Sequence, residues 1–207
     1  MRKDKQITKG NKMMKKVLFD NYDSETKLMV ETELDITNEP TIDEFLTKGN
    51  LNDYIIKVGN IIPADGIVSK KLKCGYRVNV KDEWKKHEHW VYVLVMNGRV
   101  LKCGDSTMTL KGRWGSYSAG TRKSRDRGTC STTNYFISEI IRASHKLGYK
   151  FELYGYAIPP IYSEVNIFGE VETCRGDFVS HFESRLMKKF VDNFDHLPIV
   201  GTNGLVY

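Results

Sequence analysis

Glu183 stands three and four residues before Leu186 and Met187, on a helical stripe that also carries Phe190 and Phe194. A carboxylate turned toward an apolar core costs on the order of a few kcal/mol unless it is paired or holds a cation. Ser180, three residues earlier, offers a capping box instead, which needs no ligand, and both readings stand on spacing alone. Arg113 and Tyr117 are i and i+4, which sets a guanidinium and a phenol on one helix face. Further along, Arg122, Lys123, Arg125 and Arg127 crowd between Gly120 and Gly128, broken only by Ser124 and Asp126. Glycines at both ends and turn formers within predict a mobile loop whose arginines can grip phosphate oxygens in pairs. A solvated loop that binds nothing would carry the same charge.

The whole chain supports a phosphate-bearing partner. It has 207 residues with a formal charge of +6. The excess is local: residues 51–150 hold 19 Lys and Arg against 8 Asp and Glu, and the remainder 13 against 18. Apolar residues make up 40%, enough for a core and against disorder throughout. No run approaches the roughly 18 apolar residues that cross a bilayer, and the Lys-rich start lacks an export signal's apolar segment. The four cysteines, at 74, 103, 130 and 174, form no C-x-x-C pair and lie at no zinc-finger spacing with His. The expectation is a cytoplasmic protein with reduced thiols and no membrane attachment.

The elements that must position these residues follow from local patterns. Thr41 and Glu44 form a capping box ahead of Phe45 and Leu46. Nothing else before residue 86 carries chemistry, so residues 1–85 are expected to be an N-terminal accessory region. Trp90 to Val95 is β-branched and aromatic, Asn97-Gly98 is a hairpin turn, and Arg99 to Lys102 returns. A three-residue loop with Gly98 as a bulge would pair Val95 with Arg99 and set Tyr92 directly across from Lys102. A strict two-residue loop would pair Met96 with Arg99 and put those two side chains on opposite faces. The first register is the one expected. A helix over about 107–117, capped near Ser106, carries Arg113 and Tyr117. Ser131 opens another with Phe136, Ile140 and Leu147 on one stripe and Gly148 past its end. A strand over 151–158 stops at Pro159-Pro160, and a last helix spans about 179–195. This order predicts an α+β fold, a small antiparallel sheet flanked by helices, in a domain over 86–207.

The ordered residues from Tyr92 to Glu183 resemble the GIY-YIG nuclease superfamily, and within it the short type II restriction endonucleases. The family's Gly-Ile-Tyr stands here as Trp90-Val91-Tyr92, with the tyrosine kept and the glycine replaced. Its Tyr-Ile-Gly stands as Lys102-Cys103-Gly104, a lysine replacement that the restriction branch tolerates. Arg113 falls where the family's helix arginine belongs, Tyr117 where it holds His or Tyr, and Glu183 at the metal-binding glutamate. Asn203 matches a late Asn or Gln more loosely, and 128–136 is similar to the restriction branch in particular.

The resemblance implies Mg²⁺-dependent, sequence-specific hydrolysis of double-stranded DNA, with one Mg²⁺ per active site on Glu183 and Mn²⁺ as a substitute. The residues suit that chemistry. Arg113 offers a planar cation to a non-bridging phosphate oxygen. Glu183 is one carboxylate for an ion that keeps several waters. Tyr92 is a candidate base, although a phenol titrates only near pH ~10. A cation such as Lys102 opposite it would favour the phenolate. Alternatively Lys102, crowded by Arg113, loses its own proton and is the base, and both roles stay open at this point. One site cuts one strand, so a homodimer reading a short palindromic or interrupted palindromic site is expected. Phosphate anchoring falls to Arg122, Lys123, Arg125 and Arg127, and base contacts to Thr132, Thr133, Asn134 and Asn203, with Ser131 as an N-cap. The competing readings are a non-cleaving nucleic-acid-binding module on the same fold and a structure-selective or homing-type nuclease.

Overall fold

The computed structural model describes residues 16–22, 29–63, 76–80, 88–118, 120–201 and 204–205. In chain order the elements are β1 (Val17–Tyr22), β2 (Met29–Leu34), α1 (Ile42–Lys48), β3 (Ile56–Pro63), β4 (Tyr76–Val80), β5 (Trp90–Met96), β6 (Arg99–Ser106), α2 (Leu110–Ser118), α3 (Arg122–Asp126), α4 (Thr132–Lys146), β7 (Phe151–Ala157), β8 (Ile161–Ile167), β9 (Glu170–Gly176), α5 (Val179–Phe194), β10 (Val200–Gly201) and β11 (Gly204–Leu205). The fold is α+β, with an antiparallel five-stranded sheet in the order β4-β3-β7-β5-β6. Residues 1–85, expected as an accessory region, supply two of those strands.

β5 is buried on both faces, which is why it reads as an unbroken apolar run instead of an alternation. Trp90, Tyr92, Leu94 and Met96 join Leu110, Trp114, Tyr117, Phe136 and Ile140 in one core, against α2 and α4. Val91, Val93 and Val95 join Ile42, Phe45, Leu186 and Phe190 in the other, against α1 and α5. The β1–β2 hairpin closes over the first core, with Phe19 edge-on to Phe136 at 5.0 Å.

Several boundaries differ from expectation for local reasons. The Thr41–Glu44 capping box forms as read. The first site helix starts at Leu110, not at 107, because the Thr109 hydroxyl accepts the Gly112 N–H, while the Ser106 hydroxyl turns the chain by accepting the Met108 N–H. The 122–127 stretch is not a loop but a single helical turn, α3, whose N-cap Thr121 accepts the Ser124 N–H. Ser131 caps α4 as expected, and Gly148 follows its end at φ +78°. Leu147 drops off the stripe: it lies beyond the helix and is exposed. Ser180 sits inside α5, behind the N-cap Phe178, so the capping box with Glu183 does not form. The hairpin β8–β9 was not foreseen.

Candidate active site

The site is built on β6, an edge strand of the sheet, and its register decides which groups meet. The turn is the two-residue type: Asn97 and Gly98 both have positive φ and Met96 pairs with Arg99. A bulge lies just inside it, where Val95 pairs with Val100 and Leu94 with Lys102, leaving Leu101 extra. The expected pairing of Tyr92 with Lys102 is therefore replaced: Tyr92 faces Gly104, and Lys102 sits two pairs away, opposite Leu94. The bulge shifts the pairing by one residue and so keeps Tyr92 and Lys102 on one face.

Gly104 has a steric reason to be glycine. A Cβ there would lie 2.5 Å from the Tyr92 hydroxyl oxygen, so the phenol lies across the strand in the space a side chain would fill. Gly104→Ala is expected to destabilise the fold by about 1–3 kcal/mol through overpacking and to displace the phenol. Thermal melting with a cleavage assay checks this. A variant that melts and cleaves like wild type would show that the phenol's position is not locked.

The Tyr92 hydroxyl lies 2.6 Å from that of Tyr117, and Arg113 Nη2 donates toward Tyr92 Oη at 3.5 Å. The Arg113 guanidinium also stacks over the Tyr117 ring, 4.9 Å from its centroid. Trp114 braces both phenols, at 5.2 Å from Tyr92 and 5.0 Å from Tyr117 between ring centroids. Arg113 forms no ion pair with a carboxylate among the described residues, and its Nε is buried without a hydrogen-bond partner. Burial works against its charge, but the neighbouring phenols Tyr92 and Tyr117 and the carboxylate of Asp105 hold it protonated. A half-buried guanidinium in this condition can seat an anion.

Lys102 is 5% exposed, and its ammonium makes one long hydrogen bond, 3.4 Å, to the Gly201 carbonyl. Burial pulls its pKa below the usual lysine value; Glu183 and Asp105 counter this and Arg113 adds to it. Burial pushes Tyr92 upward despite Arg113 and Tyr117, and it pushes Tyr117 upward as well. The thiol of Cys103 on the opposite face is also raised by burial and stays protonated.

Glu183 comes from α5, which packs on β5 and β6 from the other side of the sheet. Its carboxyl is half-buried and raised above the usual range, first by burial and then by Asp105, with Lys102 and Arg113 opposing. The five predicted residues thus converge at the edge of β6. Asp105 is the participant that sequence reasoning missed; its place one residue after the Tyr-Ile-Gly-like triplet was the available signal.

Among the described residues no cluster of three or more His, Cys, Asp or Glu surrounds a common point. A half-buried carboxylate raised by a second carboxylate fits a hydrated divalent cation, which would relieve both and needs few protein ligands. It does not fit an ion that demands a full protein cage.

The chain is similar in structure to the restriction endonuclease HPY188I in complex with product DNA, with 26% identity, 81% of this chain and 88% of that chain covered, and a TM-score of 0.52. The likeness spans most of both chains. A mutant of bacteriophage T4 EndoII is also similar, at 16% identity, covering 73% and 95% of the two chains with a TM-score of 0.45. No family model matches the sequence, and no curated protein does.

Apart from Asn203, the groups expected to bind DNA follow soon after α2 in the chain. Arg122 and Lys123 on α3 and Arg127 at its C-cap are exposed, and Arg125 is half-buried with partners of its own. The segment joining α2 to α3 is pressed against the first turn of α4. A Cβ on Gly120 would lie 2.4 Å from the Asn134 carbonyl oxygen, and Ser138 donates to the Tyr117 carbonyl at 2.9 Å. Thr132, Thr133 and Asn134 are half-buried there. Asn203 and Cys74 lie outside the described residues. No described helix is long and apolar enough to cross a membrane.

Proposed function

We propose that this chain is a Mg²⁺-dependent endonuclease of the GIY-YIG type, hydrolysing double-stranded DNA at specific sites as a homodimer of the restriction kind. The observation that carries this reading is the half-buried Arg113 guanidinium, set against two phenols with its Nε buried and unpartnered, near the half-buried acids Glu183 and Asp105. The similarity to HPY188I, whose structure contains product DNA, supports DNA as the anion.

Arg113 takes a non-bridging oxygen of the scissile phosphate and concentrates positive charge where it develops in the transition state. Tyr92, fully buried and oriented by Tyr117 and by the absence of a side chain at Gly104, keeps its hydroxyl against the Arg113 guanidinium that takes the phosphate. Lys102, on the same face of the hairpin, takes a proton from a water, directly or by way of the Tyr92 hydroxyl. The oxygen of that water bonds to phosphorus while the bond from phosphorus to the leaving oxygen breaks. Glu183 would hold a Mg²⁺ or Mn²⁺ ion, which when bound supplies a positive charge for the departing oxygen. Arg122, Lys123 and Arg127 bind flanking phosphates, and Thr132, Thr133 and Asn134 approach base edges.

Incubating the purified chain with a sequenced phage genome and Mg²⁺, then sequencing the ends, tests the reading. Discrete fragments with one shared end sequence are expected. Binding without cleavage would replace it with the non-cleaving module, and nicking confined to branched DNA with the structure-selective nuclease.

A further inference from the structure

The hairpin β8–β9 forms a two-stranded sheet of its own, and nearly every residue in it is exposed. Isolated two-stranded hairpins are marginal in water and normally persist against a cover. Ile161, Tyr162, Val165 and Val171 are exposed along it, and Phe168 at its tip is completely so. The tip is a tight turn: Phe168 and Gly169 both have positive φ, and Asn166 Oδ1 accepts the Gly169 N–H. At the root, Pro159-Pro160 stiffen one leg, and the Phe178 ring occupies the space a side chain at Gly176 would need on the other. Seven residues at ~3.4 Å each give a projecting arm of about 24 Å.

Its charge argues against DNA as its cover. Glu164, Glu170 and Glu172 stand against Arg175 alone, on a chain whose basic excess lies elsewhere. A complementary surface sits beside the root: a shallow groove of about 200 Å³ between α5, the end of β7 and the segment after α1. Tyr54, Tyr156, Phe182 and Leu186 line it, with Arg185 and Lys189 among them. Tyr54 meets Tyr156 edge-on at 6.2 Å, and Phe182 stacks on Tyr156 at 6.0 Å.

We infer that the arm is the dimerisation element: Phe168 of one copy seats in the Tyr54–Tyr156–Phe182 groove of a second copy, with Glu170 and Glu172 meeting Arg185 and Lys189. Because the groove lies at the root of the arm, two arms running antiparallel place each tip on the other's root. That is the self-complementary exchange a two-fold axis requires. The inference rests on the two-fold assembly proposed above and not on the cleavage chemistry.

Sedimentation of the full chain at micromolar concentration tests it without DNA. Wild type is expected to be a dimer. Phe168→Asp, which suits the left-handed backbone there, is expected to weaken dimerisation at least about a hundredfold with an unchanged melting temperature. Arg185→Glu should weaken it too, and adding Glu170→Arg to that variant should restore it. A monomeric wild type would overturn the assembly and the arm together. A dimer unaffected by Phe168→Asp would overturn the arm alone, as would failure of the charge swap or a Phe168→Asp effect confined to DNA affinity. Absence of cleavage would leave this result untouched.

Discussion

Glu183→Gln is expected to lower the single-turnover cleavage rate on the order of a thousandfold or more, while DNA affinity stays within a few-fold of wild type. Gln keeps the size of the side chain but loses the charge that would hold a divalent ion. In the function proposed above, phosphate affinity rests on Arg113 and the basic surface at α3, which the change does not touch. The substitution also removes the like-charge pressure between Glu183 and Asp105, so the melting temperature should not fall. In wild type the raised carboxyl pKa carries a pH consequence. Metal binding requires the ionised form, so apparent metal affinity should decline as pH falls through that raised value, at higher pH than for an ordinary glutamate. Rapid-quench cleavage and filter binding on one site-bearing duplex check both halves. Retained cleavage would make Glu183 a buried structural acid.

The α+β class and the main elements of the site domain were legible because their signals are local. Asn97-Gly98 marks its turn, the Thr41–Glu44 box and Ser131 mark helix starts, and Gly148 marks an end. What failed depended on tertiary contacts. The turn is anchored by Ile42, whose N–H donates to the Gly98 carbonyl, and by Val100, whose N–H donates to the Pro40 carbonyl. These bonds tie it to segments that no hairpin rule includes. The bulge at Leu101 places that side chain in the core with Tyr92 and Leu94, a packing demand invisible in an apolar run buried on both faces. Residues 56–63 and 76–80 carry no local signal of the sheet they enter, because β3 pairs with β4 and with the distant β7. Glu183 and Ser180 looked equally like a capping box, and only the position of the helix start separated the two readings. Ordered spacing therefore picked out residues that the fold brings near one another, but their arrangement at a sheet edge came from the fold.

Lys102→Met should uncouple activity from stability. Burial opposes the ammonium, so a methionine of similar length is expected to stabilise the fold by about 1 kcal/mol, or ~2–4 °C in melting temperature. The sign follows from linkage. The folded pKa of Lys102 lies below the unfolded value of 10.5, so between the two the unfolded chain binds more protons. Wild-type stability should rise with pH across that window, with the full penalty present below it, and the slope should disappear in the variant. Cleavage should fall by roughly a hundred- to ten-thousandfold, the usual worth of a positioned base. The same depression makes the neutral amine accessible at lower pH than a free lysine, whereas the raised Tyr92 pKa makes its phenolate scarcer. The wild-type log rate should therefore climb with pH at a slope of about one below the Lys102 pKa. A Lys102→Met enzyme that still cleaves, with that slope intact, would move the base to Tyr92 and leave the lysine as its counter-charge.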